Sequence, residues 1–185
     1  MQVKNFLISF CLLFFFTIFP QHALAQEKAS DSSASFAEVL QLKEADTRVG
    51  TLEEYLTKYH SPLAQFAGSF IAQADFYHID WRMVAAISGV ESTFANAEPF
   101  HCYNSWGYGI YGNHILCFNS YDEAIHTISK SLREQYMNKW GAQDVYDIGH
   151  FYAASPTWAS RVDYFMQDIE KYKKESDSQT LPISL

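Results

Sequence analysis

The segment DWRMVAAISGVES, residues 80–92, decides the fold that we predict for this chain. Apolar residues stand on nearly every side of a helix over 81–90, so the sequence predicts a buried central helix. Asp80 is suited to the N-cap, because its carboxylate can accept hydrogen bonds from the free N–H groups of the first turn. Glu91 then falls at the C-terminal end of this helix.

Helical periodicity also occurs on both sides of the central segment. Ser120-Tyr121-Asp122-Glu123 has the form of a capping box, and apolar residues follow it at helical spacing. We therefore predict a mainly α fold with further helices over about 51–59, 63–77, 121–138, 144–152 and 156–172.

Between Ser92 and Asn119 the helical periodicity disappears. Pro99 and three glycines stand there among Tyr and Trp residues. This composition predicts a loop or short hairpin that lies beside the central helix and depends on the backbone freedom of glycine.

The N-terminal stretch is typical of a secretory signal peptide. Lys4 precedes an apolar run over 6–19, and Ala23-Leu24-Ala25 resembles a cleavage site. An uncleaved membrane anchor is the alternative, but the run is shorter than the ~20 residues that span a bilayer. We predict four parts: a signal peptide over 1–25, a linker over 26–45, one catalytic domain over 46–172 and a disordered tail over 173–185.

Charge and export limit the possible partners. The 185-residue chain has a formal net charge of −8, which disfavours nucleic acid as a partner. We expect a monomeric, exported protein in the periplasm or the medium, without stable membrane insertion after signal cleavage.

Two cysteines, Cys102 and Cys117, remain once Cys11 of the signal segment is set aside. In an oxidising compartment a disulfide between them is the default, and it would stabilise the fold by roughly 3 kcal/mol on the chain-entropy model. The alternative is a zinc site that adds His101 and His114, but adjacent ligands do not match the usual spacing. We predict no resident metal and no cofactor.

Glu91 is the candidate catalytic acid. Glycoside cleavage needs a carboxylic acid that stays protonated near neutral pH. Burial beside an apolar helix and the negative end of the helix dipole both disfavour the charged form of Glu91. The sequence therefore predicts a raised pKa for this residue.

The surrounding residues carry a resemblance to a known superfamily. VESTF (90–94) is followed by YNSWGYGI (103–110) and FNSYDEAI (118–125). Over about 79–172 the chain resembles the lysozyme-like superfamily, which includes the Slt-type lytic transglycosylases and the bacterial glucosaminidases related to the mannosyl-glycoprotein endo-β-N-acetylglucosaminidases. The resemblance implies a lysozyme-like helical domain.

The resemblance also implies residue roles. Glu91 would protonate the glycosidic oxygen, and the loop over 103–111 would form one wall of a groove for peptidoglycan strands. Ser92 would orient the helix end, and no Ser/His/Asp arrangement supports it as a nucleophile. Core packing and turn formation are the competing roles for the loop residues. The residues predicted to bind substrate are Ser92, Tyr103, Asn104, Trp106, Tyr108, Tyr111 and Tyr152.

The glucosaminidases fit better than the transglycosylases. No Gly-Leu-Met-Gln follows Gly107, and Ala153 stands where the transglycosylases have Asn. The segment from Tyr152 to Ser155, followed by Trp158-Ala159, is similar to the Tyr-Ala-Thr-Asp and aromatic-Ala segments of the glucosaminidases. We predict a β-1,4 glycosidase acting on peptidoglycan. A lytic transglycosylase with anhydro-sugar products and a non-catalytic glycan-binding module remain as alternatives.

Overall fold

In the computed structural model, the described part of the chain comprises residues 47–98, 100–110, 112 and 114–180, with side chains described through residue 173. The predicted signal peptide and linker lie outside these residues. The described residues are mainly helical and contain no β-strand, which confirms the predicted helical class. None of the described helices is both long enough and apolar enough to cross a membrane.

The helices follow one another in the order that the periodicity predicts. Helix α1 covers residues 47–58, and a short 3-10 turn at Ala64–Phe66 leads into α2. The remaining helices are α2 (Ala67–Tyr77), α3 (Met83–Ser92), α4 (Tyr121–Ser131), α5 (Val145–Tyr152) and α6 (Trp158–Thr180).

Helix α3 is the buried central helix that the sequence predicts. Eight of its ten residues are buried, and it packs chiefly against α6, with further contacts to α2 and α4. Asp80 does not cap α3 directly. Its carboxylate accepts the N–H of Arg82 at 2.9 Å, and its carbonyl accepts the N–H of Met83 at 3.0 Å, so Asp80 forms the turn from which the helix begins.

Helix α4 begins as predicted and ends differently. The Ser120 hydroxyl accepts the N–H of Glu123 at 3.2 Å, and the Glu123 carboxylate accepts the N–H of Asn119 at 2.7 Å. The segment Leu132–Lys139 then continues as a π-helix. The sequence predicts a single helix here, because a local change from α- to π-helical hydrogen bonding does not alter the spacing of apolar residues enough to be recognised.

Helix α6 extends beyond the predicted end near Tyr172. It continues to Thr180, so the disordered tail predicted from Lys173 onward is wrong as far as Thr180. The polar composition on which that expectation was based does not prevent a helix from continuing once a packed segment has nucleated it.

Candidate active site

Glu91 lies in the last turn of α3, at the surface of the central helix. The indole Nε1 of Trp158 donates a hydrogen bond to its Oε1 at 2.6 Å. On the other side, a Cβ added to Gly107 would lie 3.5 Å from Oε2, so the loop backbone runs close to the carboxyl group. The residue is exposed, but its carboxyl group is partly enclosed by these two neighbours.

Burial raises the pKa of Glu91 above its ordinary value. The hydrogen bond from Trp158 and the positive charge of Arg161 both act in the opposite direction, and they do not cancel the effect of desolvation. The direction agrees with the prediction made from the sequence. A carboxyl group of this kind is suited to donate a proton near neutral pH.

Trp158 is the first residue of α6 and packs against α5. Its ring stacks on Tyr152 with the ring centroids 4.7 Å apart and the planes at 20°, and the Tyr152 hydroxyl donates to the Trp106 carbonyl at 2.9 Å. Gly149 lets α5 approach, because a Cβ at that position would lie 3.2 Å from Cε3 of Trp158. Tyr152 thus supports the indole that donates to Glu91, and its predicted contact with substrate stays a prediction.

Trp158 itself was missed as a site residue by sequence reasoning. The only signal for it in the sequence is the aromatic-Ala pair Trp158-Ala159. This pair supports the resemblance to the glucosaminidases but does not indicate a contact with Glu91. The helical spacing of α6 places Trp158 among core residues, and the side chain is indeed buried. Only the fold shows that its one polar atom points at Glu91.

Ser92 connects the end of α3 to the loop that follows it. Its buried hydroxyl lies 2.8 Å from the Ser105 carbonyl oxygen and 3.1 Å from the Ser88 carbonyl oxygen, which compete for its one proton, and it accepts the N–H of Ala95 at 2.9 Å. The predicted orienting role fits this arrangement. Substrate binding by Ser92 stays a prediction, and the one proton of its hydroxyl is already directed at carbonyl oxygens of the protein.

Trp106 and Asn104 are also buried, contrary to the predicted contacts with sugar. Trp106 has no exposed surface, and its indole N–H donates to the Val84 carbonyl at 2.8 Å. The Asn104 amide donates to the carbonyls of Tyr108 and Leu116 at 2.8 and 2.7 Å. Trp106 thus holds the loop against α3, and Asn104 joins two parts of the loop to each other.

The remaining loop tyrosines differ in their accessibility. Tyr103 is 43% exposed and meets Tyr121 edge to face, with ring centroids 5.0 Å apart. Tyr108 is partly buried and its hydroxyl donates to Ser131 at 3.0 Å. Tyr111 lies outside the described residues. Among the described loop residues proposed to contact sugar, Tyr103 therefore keeps the most open ring.

Glu98 organises the loop, although no pattern in the sequence distinguishes it from other acidic residues. One carboxylate oxygen accepts the N–H groups of Cys102 and Asn104 at 2.8 and 3.1 Å. The other accepts the hydroxyls of Ser105 and Tyr121 at 2.9 and 3.1 Å. Burial, followed by the charge of Glu98, raises the pKa of Tyr121 to about 12. A buried carboxylate with four donors is a strong local anchor.

The chain reverses direction directly after Ser92 through a strained turn. Thr93, Phe94 and Ala95 have φ values of 53°, 57° and 67°, in the left-handed region that non-glycine residues rarely adopt. The Phe94 ring then lies over Gly89, where an added Cβ would be 2.6 Å from the ring. Such strain persists only where the surrounding contacts enforce it, and it often marks a functional site.

The two loop cysteines are neighbours, and both are free thiols in this structure. The Cys117 thiol is close enough to contribute to the raised pKa of Cys102, and the Phe118 N–H donates to the Cys102 carbonyl at 3.0 Å. Burial raises the pKa of the Cys102 thiol to about 11. The disulfide remains a prediction, and the two side chains are already adjacent.

The zinc alternative gains no support. Within the described residues, which include His101, Cys102, His114 and Cys117, no group of three or more His, Cys, Asp or Glu side chains converges on a possible metal position.

Comparisons with known proteins add no relatives. No protein-family model, no curated protein and no solved structure matches this chain.

Proposed function

We propose that the chain is an exported glycosidase that cleaves β-1,4 bonds of peptidoglycan glycan strands, with Glu91 as the general acid in a lysozyme-like helical domain. The observation that carries this proposal is the position of Glu91. Its carboxyl group ends a buried helix, has a raised pKa and faces a loop whose backbone leaves it accessible. The net charge of −8 and the sequence features of a signal peptide support a secreted enzyme over a nucleic-acid enzyme.

In the proposed reaction, protonated Glu91 donates its proton to the glycosidic oxygen as the bond to the anomeric carbon breaks. The Trp158 indole N–H then stabilises the carboxylate that remains, through the 2.6 Å hydrogen bond. Hydrolysis would follow when water attacks the anomeric carbon and Glu91 recovers a proton from it. The glucosaminidase-like specificity rests on the sequence resemblance.

A lytic transglycosylase is the second candidate, and one observation favours it. A nearby carboxylate would raise the pKa of Glu91 further, but no carboxyl group is among the causes of its shift, which are desolvation, Trp158 and Arg161. A reaction with a single acid is possible if a hydroxyl group of the substrate attacks the anomeric carbon and gives its proton to the Glu91 carboxylate. The product is then an anhydro sugar.

A zymogram on purified cell wall tests the assignment of Glu91. We expect wild type to clear the wall and Glu91→Gln to lose about 10²- to 10⁴-fold in rate, as is typical when a general acid is removed. Glu53→Gln changes an exposed carboxyl group on α1 and is the matched control. Equal clearing by wild type and Glu91→Gln would remove Glu91 from the mechanism.

Mass spectrometry of the released fragments separates the two reactions. Hydrolysis leaves a reducing-end sugar, whereas transglycosylation leaves a product lighter by the mass of one water molecule. A third outcome, in which wild type binds the wall and releases no fragments, would identify a non-catalytic glycan-binding module.

A further inference from the structure

An exposed aromatic pair lies at the end of a row of rings that begins beside Glu91. Trp140 and Phe151 are 39% and 52% exposed, and their ring centroids are 5.1 Å apart. Trp140 follows the π-helical segment and Phe151 belongs to α5, so two separate elements build the pair. We call Trp140 and Phe151 the distal platform.

A continuous series of ring contacts joins the distal platform to the candidate acid. Trp140 meets Tyr136 at 4.9 Å, Tyr136 meets Tyr152 at 5.8 Å, and Tyr152 stacks on Trp158 at 4.7 Å. Trp158 in turn donates to Glu91. The exposed platform and the acid are therefore two ends of one packed aromatic layer.

The backbone that carries Trp140 is held in a fixed position. The Trp140 N–H donates to the Gln135 carbonyl at 3.0 Å, and the next residue, Gly141, has a φ of 78°, which turns the chain away from the helix. The Ala142 N–H then donates to the Tyr136 carbonyl at 3.0 Å. A rigid aromatic ring binds a ligand with little loss of conformational entropy.

We propose that the distal platform is a remote sugar subsite, at which a pyranose ring of the strand held at Glu91 stacks on Trp140 and Phe151. This inference rests on the proposed function. The C–H groups on one face of a pyranose ring carry partial positive charge, which suits the negative face of an aromatic ring. Continuity with the layer beside Glu91 favours the substrate as the occupant, and mutual repulsion of chains with a net charge of −8 disfavours a second copy.

The test compares glycan strands of two lengths. On long uncross-linked strands we expect Trp140→Ala and Phe151→Ala to lower kcat/KM about tenfold, the effect of losing one stacking contact. On fragments too short to reach the platform, kcat/KM should stay as in wild type. Trp140→Phe should restore most of the loss, since it keeps an aromatic face. Phe76→Ala, which removes an exposed ring on α2, is the matched control.

Binding is measured separately in the Glu91→Gln variant, by sedimentation with purified peptidoglycan, so that cleavage does not contribute. Weaker binding on adding Trp140→Ala, with no change on adding Phe76→Ala, supports the subsite even if wild type releases no fragments and the proposed catalysis fails. Equal cleavage by wild type and Trp140→Ala at both lengths overturns the subsite and leaves the proposed function intact. An equal loss at both lengths, or a change from dimer to monomer in Trp140→Ala, also overturns it.

Discussion

The indole Nε1 of Trp158 lies 2.6 Å from Oε1 of Glu91 and donates a hydrogen bond to it. This contact stabilises the ionised carboxyl group and so limits the rise in pKa that burial causes. The indole therefore has two effects in the proposed reaction: it moderates the acidity of Glu91 before proton transfer and stabilises the carboxylate afterwards.

Replacing Trp158 by Phe should move the pH profile of the proposed activity. Phe keeps a ring against Tyr152 and removes the donor, so the pKa of Glu91 should rise further. Because a general acid works only while protonated, the alkaline limb of the kcat profile should shift to higher pH. Tyr146→Phe, which removes an exposed hydrogen bond to Asp163, is the control and should not change the pH at which kcat falls on the alkaline side. A limb that does not move in Trp158→Phe would contradict the role given to the indole.

Glu91→Gln should change the pH dependence of stability. The folded state raises the pKa of Glu91 above its ordinary value of 4.5, so the folded protein holds this proton more tightly than the unfolded chain does. Wild type therefore loses stability as pH rises from about 4.5 through the pKa of the folded state, and Gln does not titrate. The Tm of the variant minus that of wild type should be larger at pH 8 than at pH 4, by differential scanning calorimetry. A difference independent of pH would show that the pKa of Glu91 is not raised.

The position of Glu91 could be predicted from sequence, whereas most of its surroundings could not. An apolar segment that ends in an acid places that acid at a helix end, which is a local property. Whether a loop aromatic is open or buried depends on contacts far along the chain. Trp106 and Asn104 stand in the same Gly- and Tyr-rich segment as the exposed Tyr103, yet they donate hydrogen bonds to the carbonyls of Val84 and Leu116 and are buried.

Glu98 is the reverse case: sequence patterns do not predict a role for it, yet it organises the loop in the fold. In sequence it is an isolated acid before a proline, with no periodicity to assign it to the core. Its four donors come from three loop residues and from the first residue of α4, so their convergence exists only in the folded chain. The contact between Trp158 and Glu91 could not be predicted for a related reason, because helical spacing does not show where an indole N–H points.

Glu98→Gln should destabilise the fold by about 2–3 kcal/mol, because the new amide group would face donors that then lack an acceptor while buried. Urea denaturation measures this change in the free energy of unfolding. Glu53→Gln, on the exposed side of α1, should stay within about 0.5 kcal/mol of wild type. If the two variants were equally stable, Glu98 would not be the anchor of the loop.

Gly149→Ala should displace Trp158 and reduce the proposed activity. The added Cβ would lie 3.0 Å from Cβ of Ala159 and 3.2 Å from the Trp158 ring, which is tighter than packed side chains normally allow. Overpacking of this kind costs about 1–3 kcal/mol. Gly68→Ala is the matched control, since its Cβ would have no neighbour within 4 Å, and its stability should be unchanged or raised by up to about 1 kcal/mol. Similar Tm values for the two variants would show that α5 and α6 can separate freely.

Oxidation should join Cys102 to Cys117 and stabilise the loop that contains Tyr103. The two thiols influence each other, and the backbone hydrogen bond from Phe118 to Cys102 holds the two chain segments side by side, so the bond requires little movement of the backbone. In protein purified from an oxidising compartment, we expect both cysteines to react with an alkylating agent only after reduction, as measured by mass spectrometry. The oxidised protein should be about 3 kcal/mol more stable than the reduced protein. Cys102→Ser should remove that difference, because the remaining thiol has no partner with which to close the loop. Labelling of both thiols without a reductant would contradict the disulfide.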